Sequence, residues 1–339
     1  MEKLRVVSIG GFGHAGSVFE EMEGMAEAEL VAFAPAYEGE DLSAVAKRPL
    51  FRAGPSHVDD YREMLKRFRP DVAVVSTRLD RISQAATEAA QAGCHLICEK
   101  PLALDHDSLR TLYEAVRGAG ARLIAMLSMR REPAFAAARE CCGRGAIGEA
   151  LIANARKSYQ WGKRPEWFGR RETYGGTIGW IGIHALDMIH YVTGQEFVSA
   201  AAMQSNQAHQ ERPACEDNCA LILELANGGH ATVSLDYCRP AGAPTHGDDW
   251  LRVVGSRGVI EANGSRQTCV LLAEGQGLQT IALGPPPAMY RSFLLSLLGR
   301  ADFDLQRPGD PFLLTHACLC ARDAADTATV VKIPRGLWT

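Results

Sequence analysis

Apolar runs and amphipathic segments alternate through the first third of the chain. The apolar runs are short and rich in Val, Ile and Leu, and they predict strands at residues 4–9, 29–34, 72–77, 94–98 and 122–127. The segments between them repeat apolar positions with a helical period, at residues 15–25, 58–68, 82–92 and 105–118. Apolar strands separated by helices indicate a parallel sheet covered on both faces. The sequence therefore predicts an α/β domain with a doubly wound parallel sheet over residues 1–128.

The pattern changes near residue 130. It predicts a helix at 134–142, a long strand at 150–161, a loop at 162–179 and an apolar helix at 180–193. Further strands are predicted at 200–203, 220–225, 230–235, 251–254, 259–262 and 269–273, and helices after the Pro run at 285–287 and at 312–326. Turn signals such as Asn263-Gly264 join several of these strands directly. Residues 129–339 are therefore predicted to form a second α/β domain with a mostly antiparallel sheet.

Composition and charge exclude several classes of protein. The 339 residues carry 36 Lys and Arg against 40 Asp and Glu, so no basic excess favours nucleic acid. The longest apolar stretches are too short to cross a bilayer. The opening residues run directly into the first strand, without a signal-peptide pattern. We expect a cytoplasmic protein that binds neither nucleic acid nor membrane.

The ten cysteines show no spacing that is typical of a metal site. A zinc ribbon needs two C-x-x-C pairs at a fixed separation, and the sequence has no such repeat. We therefore expect small, buried or half-buried, reduced thiols and no bound metal.

A glycine motif lies where the first strand gives way to the first helix. It reads G-x-G-x-x-G and consists of Gly11, Phe12, Gly13, His14, Ala15 and Gly16. The first glycine permits a tight turn, the second lets the backbone approach a diphosphate, and the third lets the helix pack on the strand. The motif predicts a dinucleotide at the N-terminus of this helix. The alternative is a tight turn that binds nothing.

The acid that usually ends the second strand is absent. Such a carboxylate accepts hydrogen bonds from the adenosine ribose, but here the strand ends at Ala34 and the first acid is Glu38, which comes slightly too late. No arginine stands close in sequence to bind a 2′-phosphate. The choice between NAD and NADP is therefore open.

The string Glu99-Lys100-Pro101 directly follows a buried strand, at the edge where doubly wound sheets bind ligands. A lysine there can place positive charge beside a substrate hydroxyl and help its proton leave. The proline stiffens the turn, and a cis peptide bond would suit it. In isolation these residues would be interpreted as a surface Glu–Lys pair.

Together, the glycine motif and Glu99-Lys100-Pro101 resemble the Gfo/Idh/MocA oxidoreductase family, which includes glucose–fructose oxidoreductase and inositol dehydrogenase. The similarity extends over nearly the whole chain: residues 92–105, 164–168, 175–176, 182–187 and 321–334 resemble successive segments of that family. The resemblance implies an N-terminal dinucleotide domain and a C-terminal α/β domain with a large open sheet. It also implies a C-terminal segment returning towards the first domain, and a homo-oligomer, either a dimer or a tetramer.

The family's reaction implies a site on both domains. We expect the cofactor, NAD or NADP, to contact the six residues of the glycine motif together with Thr77, Glu99 and Lys100. In the helix at 180–193 the polar side chains His184, Asp187 and His190 form one stripe. His184 is the expected general base because its ordinary pKa suits proton removal at neutral pH. We expect Asp187 to orient substrate hydroxyls, whereas a histidine bonded within the core explains His190.

The sequence departs from the family at three places. The family's usual D-x-G-x-H places an acid where this chain has Trp180, whose indole cannot share a proton but can lie against a sugar ring. The loop at 77–82 and Ala34 also differ from the usual pattern. The leading hypothesis is an NAD(P)-dependent oxidoreductase that acts on CH–OH groups of a sugar, polyol or related small molecule, with Lys100 and His184 catalytic and Lys100, Asp187 and Trp180 contacting substrate. The alternatives are a non-redox sugar-converting enzyme that retains its NAD, and a family member that only binds cofactor or sugar.

Overall fold

Parallel strands build the sheet of the first unit. The structure, a computed structural model, describes residues 3–52 and 54–338. The strands are β1 (Leu4–Ile9), β2 (Ala28–Ala34), β3 (Ser56–His57), β4 (Val72–Val75), β5 (His95–Cys98) and β6 (Leu123–Ala125). They are ordered β3-β2-β1-β4-β5-β6, and every pair is parallel. Because the order reverses between β1 and β4, a crevice forms at the carboxyl ends of these two strands.

Helices connect these strands. They are α1 (Ala15–Met22), α2 (Ser43–Ala46), α3 (Pro49–Arg52), α4 (Tyr61–Phe68), α5 (Leu79–Gln91) and α6 (His106–Gly118). The Asp60 carboxylate caps α4 by accepting the Arg62 amide, and Asp105 caps α6 through the Ser108 amide. Each of the longer helices buries one apolar face against the sheet, which is why the strands are apolar throughout.

The second unit contains a larger, mixed sheet and the helices α7 (Pro133–Gly143), α8 (Arg171–Tyr174) and α9 (Ile183–Thr193). Its strands are β7 (Ala150–Tyr159), β8 (Phe197–Ser205), β9 (Asn218–Leu225), β10 (His230–Asp236), β11 (Gly247–Gly255), β12 (Gly258–Asn263), β13 (Thr268–Ala273), β14 (Gln276–Thr280) and β15 (Val331–Lys332). Their order is β14-β13-β12-β11-β7-β10-β9-β8-β15, and only β7 and β10 pair in parallel. Buried and exposed positions alternate along β9 and β10, so one face of the sheet is covered.

Helix α9 is the most deeply buried helix of the second unit. It packs against α7 and β7, and every residue from Ile183 to Val192 is buried. A π-helical turn, Ile178–Gly182, leads into it, and Gly194 ends it with φ 70°. A polar side chain on such a helix must therefore face a cavity or have a hydrogen-bonding partner.

Two further helices follow, α10 (Met289–Leu297) and α11 (Asp310–Thr327). The first unit consists of the described part of residues 1–126 with residues 288–312 and Trp338, so α10 belongs to it. The Glu21 carboxylate of α1 accepts the amides of Tyr290 and Arg291 at the start of α10. The apolar side chains of α10 therefore complete a core that begins with β1.

The predicted fold class is confirmed: a parallel doubly wound sheet and a large, mostly antiparallel one. Differences are local. Helix α1 ends at Met22 rather than at residue 25, before Gly24 with φ 75°. The predicted loop at 162–179 contains α8 and a short 3-10 helix, Glu166–Gly169. The pattern missed β3, β14 and β15, which are short or largely exposed and therefore lack a clear apolar signal.

All ten cysteines are free thiols in the structure. Eight are buried and Cys142 is half-buried, whereas Cys238 is exposed and departs from the expectation. Burial raises the pKa of the Cys94 thiol to about 12, so this side chain stays a neutral thiol at physiological pH. Within residues 3–52 and 54–338, no group of three His, Cys, Asp or Glu side chains could hold a metal ion. Over the same ranges, every helix is too short or too polar to span a membrane.

Candidate functional site

Side chains at the ends of β4 and β5 support the glycine loop. Gly10 and Gly13 have φ values of 77° and 84°, which a side chain rarely tolerates. The Phe12 amide donates to the Ser76 carbonyl at 2.9 Å, and the Ser76 hydroxyl donates to the Phe12 carbonyl. The loop is thereby fixed to the strand on the other side of the crevice.

Glu99 holds the second half of the loop. Its buried carboxylate accepts the His14 amide at 2.5 Å and lies 3.0 Å from His14 Nδ1. A Cβ atom on Gly13 would lie 2.0 Å from Glu99 Oε2, so only glycine leaves this space. Burial raises the pKa of the Glu99 carboxyl, but the charge and hydrogen bonds of His14 and the charge of Lys100 together bring it below its ordinary value.

The start of α1 fits the diphosphate of a dinucleotide. The helix has no acidic residue in its first turn, and the His14 side chain makes no cap hydrogen bond to it. The helix dipole is positive at this end, where the Glu99 carboxylate already accepts the His14 amide. Gly16 lies close to Arg48, whose guanidinium donates to the Gly16 carbonyl at 3.3 Å, and a Cβ there would lie 2.1 Å from Arg48 Nη2.

Lys100 follows β5 and is only 1% exposed. The Lys100–Pro101 peptide bond is cis, and the Lys100 amide donates to Glu99 Oε1 at 2.9 Å. Thr77, at the end of β4, is also buried, and its hydroxyl donates to Glu40 at 2.6 Å. The structure therefore gathers the glycine loop, Thr77, Glu99 and Lys100 at the carboxyl edge of one sheet.

The end of β2 differs from the sequence prediction in its charged neighbours. Ala34 is buried and Glu38 is exposed, as their types suggest. An arginine does lie nearby: the Arg78 guanidinium is 4.6 Å from the Tyr37 ring centre. Sequence distance concealed it because Arg78 follows β4, the second strand away from β2 in the sheet.

In the second unit, the polar stripe of α9 is buried, and two of its residues have clear partners. Asp187 Oδ1 accepts Arg130 Nε at 2.8 Å and Nη2 at 2.6 Å, and both side chains are buried. His190 Nδ1 lies 2.7 Å from the Gln195 carbonyl oxygen, which is the core role expected of it. His184 is 1% exposed. The sequence analysis did not identify Arg130, which lies far from Asp187 in the chain.

Trp180 belongs to an aromatic cluster, which we define as Tyr159, Trp161, Phe168, Tyr174, Trp180 and Tyr237. The rings of Trp180 and Phe168 meet edge to face at 5.8 Å, and those of Phe168 and Tyr174 lie 4.5 Å apart. The hydroxyls of Tyr174 and Tyr237 are 3.0 Å apart, and Trp161 meets Tyr237 at 5.1 Å. Phe168, Tyr174 and Tyr237 are fully buried and Trp180 is 6% exposed, so these four rings belong to the core of the second unit.

A buried lysine lies beside this cluster. Lys157 Nζ is 2.8 Å from Asp249 Oδ1, 3.3 Å from Met129 Sδ and 4.8 Å from the Tyr159 ring centre. Burial lowers the pKa of Lys157, but Tyr159 and Asp249 raise it above its ordinary value overall. The sequence held a signal: Lys157 continues the series of buried positions Ala153 and Ala155 along β7.

The chain resembles known proteins both in sequence and in fold. Residues 4–126 match the oxidoreductase family with an NAD-binding Rossmann fold, and residues 135–261 match the GFO/IDH/MocA C-terminal domain. The chain belongs to the Gfo/Idh/MocA oxidoreductase family. The resemblance found in the sequence is thus confirmed.

Members of the Gfo/Idh/MocA family resemble the chain over most of its length. Inositol 2-dehydrogenase of Rhizobium meliloti is 28% identical over 79% of this chain and 78% of its own. A solved Thermotoga maritima protein that carries only the general name oxidoreductase is 34% identical, with a TM-score of 0.91 over 97% of this chain and 100% of its own. A levoglucosan dehydrogenase solved with NADH and levoglucosan has a TM-score of 0.84 over 98% of this chain and 100% of its own, but at 22% identity this similarity concerns the fold alone.

Proposed function

We propose that the protein is an NAD(P)-dependent oxidoreductase that transfers hydride between a nicotinamide and a CH–OH group of a sugar, polyol or related small molecule. A bound nicotinamide would supply the hydride donor or acceptor. The glycine loop and the start of α1 would hold its diphosphate, with Thr77, Glu99 and Lys100 beside it. The name of the relative inositol 2-dehydrogenase supports a hydroxylated substrate.

The buried position of Lys100 carries the proposal. Removing an ammonium from water is costly, and this lysine is 1% exposed at the ligand-binding edge of a doubly wound sheet. The burial of the Lys100 ammonium at that edge, despite the cost of desolvation, favours a role for this lysine in binding a ligand. Positive charge close to a substrate hydroxyl lowers the pKa of that hydroxyl and favours loss of its proton.

His184 is proposed as the base that takes this proton, and Trp180 as a flat wall for the sugar ring. An imidazole can accept a proton at neutral pH, whereas an indole cannot. Asp187 accepts two hydrogen bonds from Arg130 on its Oδ1 atom, and we propose that this carboxylate orients substrate hydroxyls. The oligomeric state is proposed only from the resemblance to the family, as a dimer or tetramer.

Lys100→Ala tests the proposal. General acid–base groups contribute about 10²- to 10⁴-fold to rate, so we expect kcat to fall about 10³-fold. Turnover is followed as reduction of NAD and NADP at the absorbance of the reduced nicotinamide, across inositols, levoglucosan and aldoses. The binding of NADH, measured by isothermal titration calorimetry, should stay within about threefold of the wild-type value.

Lys66→Ala, at an exposed lysine on α4, is the matched control and should leave kcat unchanged. Unchanged turnover in Lys100→Ala would contradict the proposed role of this lysine. Trp180 at the family's acid position favours a second candidate, a member that binds NADH and sugar without net redox turnover. Binding of NADH by the wild type with no reduction on any substrate would support that candidate.

A further inference from the structure

A carboxylate from the loop after β2 lies at the edge of the sheet where the usual acid is missing. Glu40 accepts the Ala36 amide at 2.7 Å and the Thr77 hydroxyl at 2.6 Å, and a Cβ atom on Gly10 would lie 2.9 Å from Glu40 Oε1. Ala36 follows β2, Gly10 follows β1 and Thr77 follows β4. The carboxylate therefore lies where three neighbouring strands end, in the crevice created by the reversal of strand order.

We propose that Glu40 selects the dinucleotide, its carboxylate accepting an adenosine ribose hydroxyl and thereby favouring NAD over NADP. This inference rests on the proposed function, since it requires a dinucleotide along the glycine loop. In doubly wound folds that bind NAD, the ribose hydroxyls bond to an acid at the end of the second strand. Here that strand ends at Ala34, and the loop brings an acid back to the same edge.

The hydrogen-bonding capacity of Glu40 leaves room for one ribose hydroxyl. An ionised carboxylate offers about four lone-pair positions, and the two donors from Ala36 and Thr77 use two of them. Thr77 is fully buried, whereas Glu40 is half-buried. A ribose hydroxyl would therefore bond to Glu40 rather than to Thr77.

The two neighbouring cations, Arg78 and Arg81, share one carboxylate, that of Asp80. Arg78 makes two hydrogen bonds to Asp80, at 2.6 and 2.9 Å, and stacks over Tyr37. Arg81 Nε lies 3.3 Å from the same Asp80 carboxylate. A 2′-phosphate carries about two negative charges and would approach the Glu40 carboxylate, whereas Asp80 already takes two of the five Arg78 donors. The repulsion from Glu40 is therefore the contribution that favours the unphosphorylated ribose.

Isothermal titration calorimetry with NADH and NADPH tests the inference without any need for a substrate. We expect the wild type to bind NADH at least about 100-fold more tightly than NADPH, because the phosphate adds repulsion and removes the hydroxyl bond. Glu40→Gln should weaken NADH about tenfold. Glu40→Ser, which removes the charge and adds space, should strengthen NADPH binding about tenfold. Glu38→Gln, at an exposed acid of the same loop, is the matched control and should change neither affinity.

The gain in NADPH affinity is decisive because a damaged binding site cannot produce it. An equal loss of affinity for NADH and NADPH in the two Glu40 variants would overturn the inference. Glu40 would then have only a structural role, linking Ala36 to Thr77. A wild type that binds NADPH as tightly as NADH would overturn it as well, and would make Arg78 the selecting group. Failure of the wild type to bind either dinucleotide would overturn the proposed function together with the inference.

Discussion

Two carboxylates of the first unit and two of the second are held in different ways. In the first unit, Glu99 accepts the His14 amide and Glu40 accepts the Ala36 amide. In the second, Asp187 pairs with the cation of Arg130, and Asp249 pairs with that of Lys157. Every residue but proline offers an amide, so the first arrangement depends on loop shape and therefore on glycines at fixed positions. The second depends on two particular side chains that meet only in the folded protein.

The comparison predicts the largest effect where a buried cation loses its partner. Asp249→Asn removes the carboxylate from Lys157, whose side chain is fully buried. Removing one partner of a buried ion pair leaves the other charge, here the Lys157 ammonium, without a counter-charge. We therefore expect the free energy of unfolding to fall by about 4 kcal/mol. Urea unfolding followed by circular dichroism measures it.

The adjacent Asp248→Asn provides the control. Asp248 pairs with Arg156 at 2.8 Å, but the Arg156 side chain is 38% exposed, so the loss should be below about 1 kcal/mol. Equal losses in the two variants would mean that burial does not distinguish these pairs.

A somewhat smaller effect is expected in the glycine loop. Gly13→Ala places a Cβ against the Glu99 carboxylate, which is buried and bonded to His14 and so cannot swing away freely. Left-handed backbone strain and the displaced hydrogen bonds should together cost about 3 kcal/mol. Thermal unfolding with and without NADH measures the loss of stability and of binding.

Gly24→Ala separates the two contributions to that cost. Gly24 has φ 75°, but a Cβ atom at this position would meet nothing within 4 Å, so the variant suffers the backbone strain alone, about 1 kcal/mol. If Gly13→Ala cost no more than Gly24→Ala, the contact with Glu99 would not constrain the loop.

The smallest effect concerns a carboxylate of the second unit that bonds to amides as those of the first unit do. Asp217 accepts the amides of Gln207, Ala208 and His209. Burial raises the pKa of Asp217, but these bonds and that of Asn218 bring it below its ordinary value of 3.8. The stabilisation is therefore complete above about pH 4 and disappears as pH falls through the lowered pKa of the folded state.

We accordingly expect Asp217→Asn to lower the free energy of unfolding by about 1.5 kcal/mol at pH 7, with the difference shrinking below pH 3.8. Urea unfolding between pH 7 and pH 3 gives the profile. Asp59→Asn, at a fully exposed side chain, should show no such pH-dependent difference. A constant difference over the whole range would contradict an ionisation effect at Asp217.

Most of the fold followed from periodicity and turn chemistry. The strand β1 was predicted with its correct bounds, because apolar residues fill it and glycines end it. The glycine loop was readable for the same reason that it is constrained: φ values near 80° at Gly10 and Gly13 restrict the residue type. Local geometry of this kind leaves a local mark in the sequence.

Contacts between residues that are far apart in the chain leave no such local pattern in the sequence. Arg130 and Asp187 are 57 residues apart, and Glu40 reaches Thr77 across 37. Pattern reasoning therefore identified Asp187 without its cation, and it concluded that an acid was missing near the end of β2. Strand order, which places β2, β1 and β4 side by side, supplies the missing information.

Helix α10 has a consequence for how the molecule is made. Its side chains Met289, Tyr290 and Phe293 share one core with Val6 and Phe19, although almost the entire second unit is encoded between them. During synthesis on the ribosome, the hydrophobic core of the first unit stays incomplete until residues near 290 have emerged from the exit tunnel. A truncation after residue 128 would thus expose the apolar surface that α10 covers. The nascent chain exposes the same surface during that interval, which makes it prone to aggregation and a substrate for chaperones.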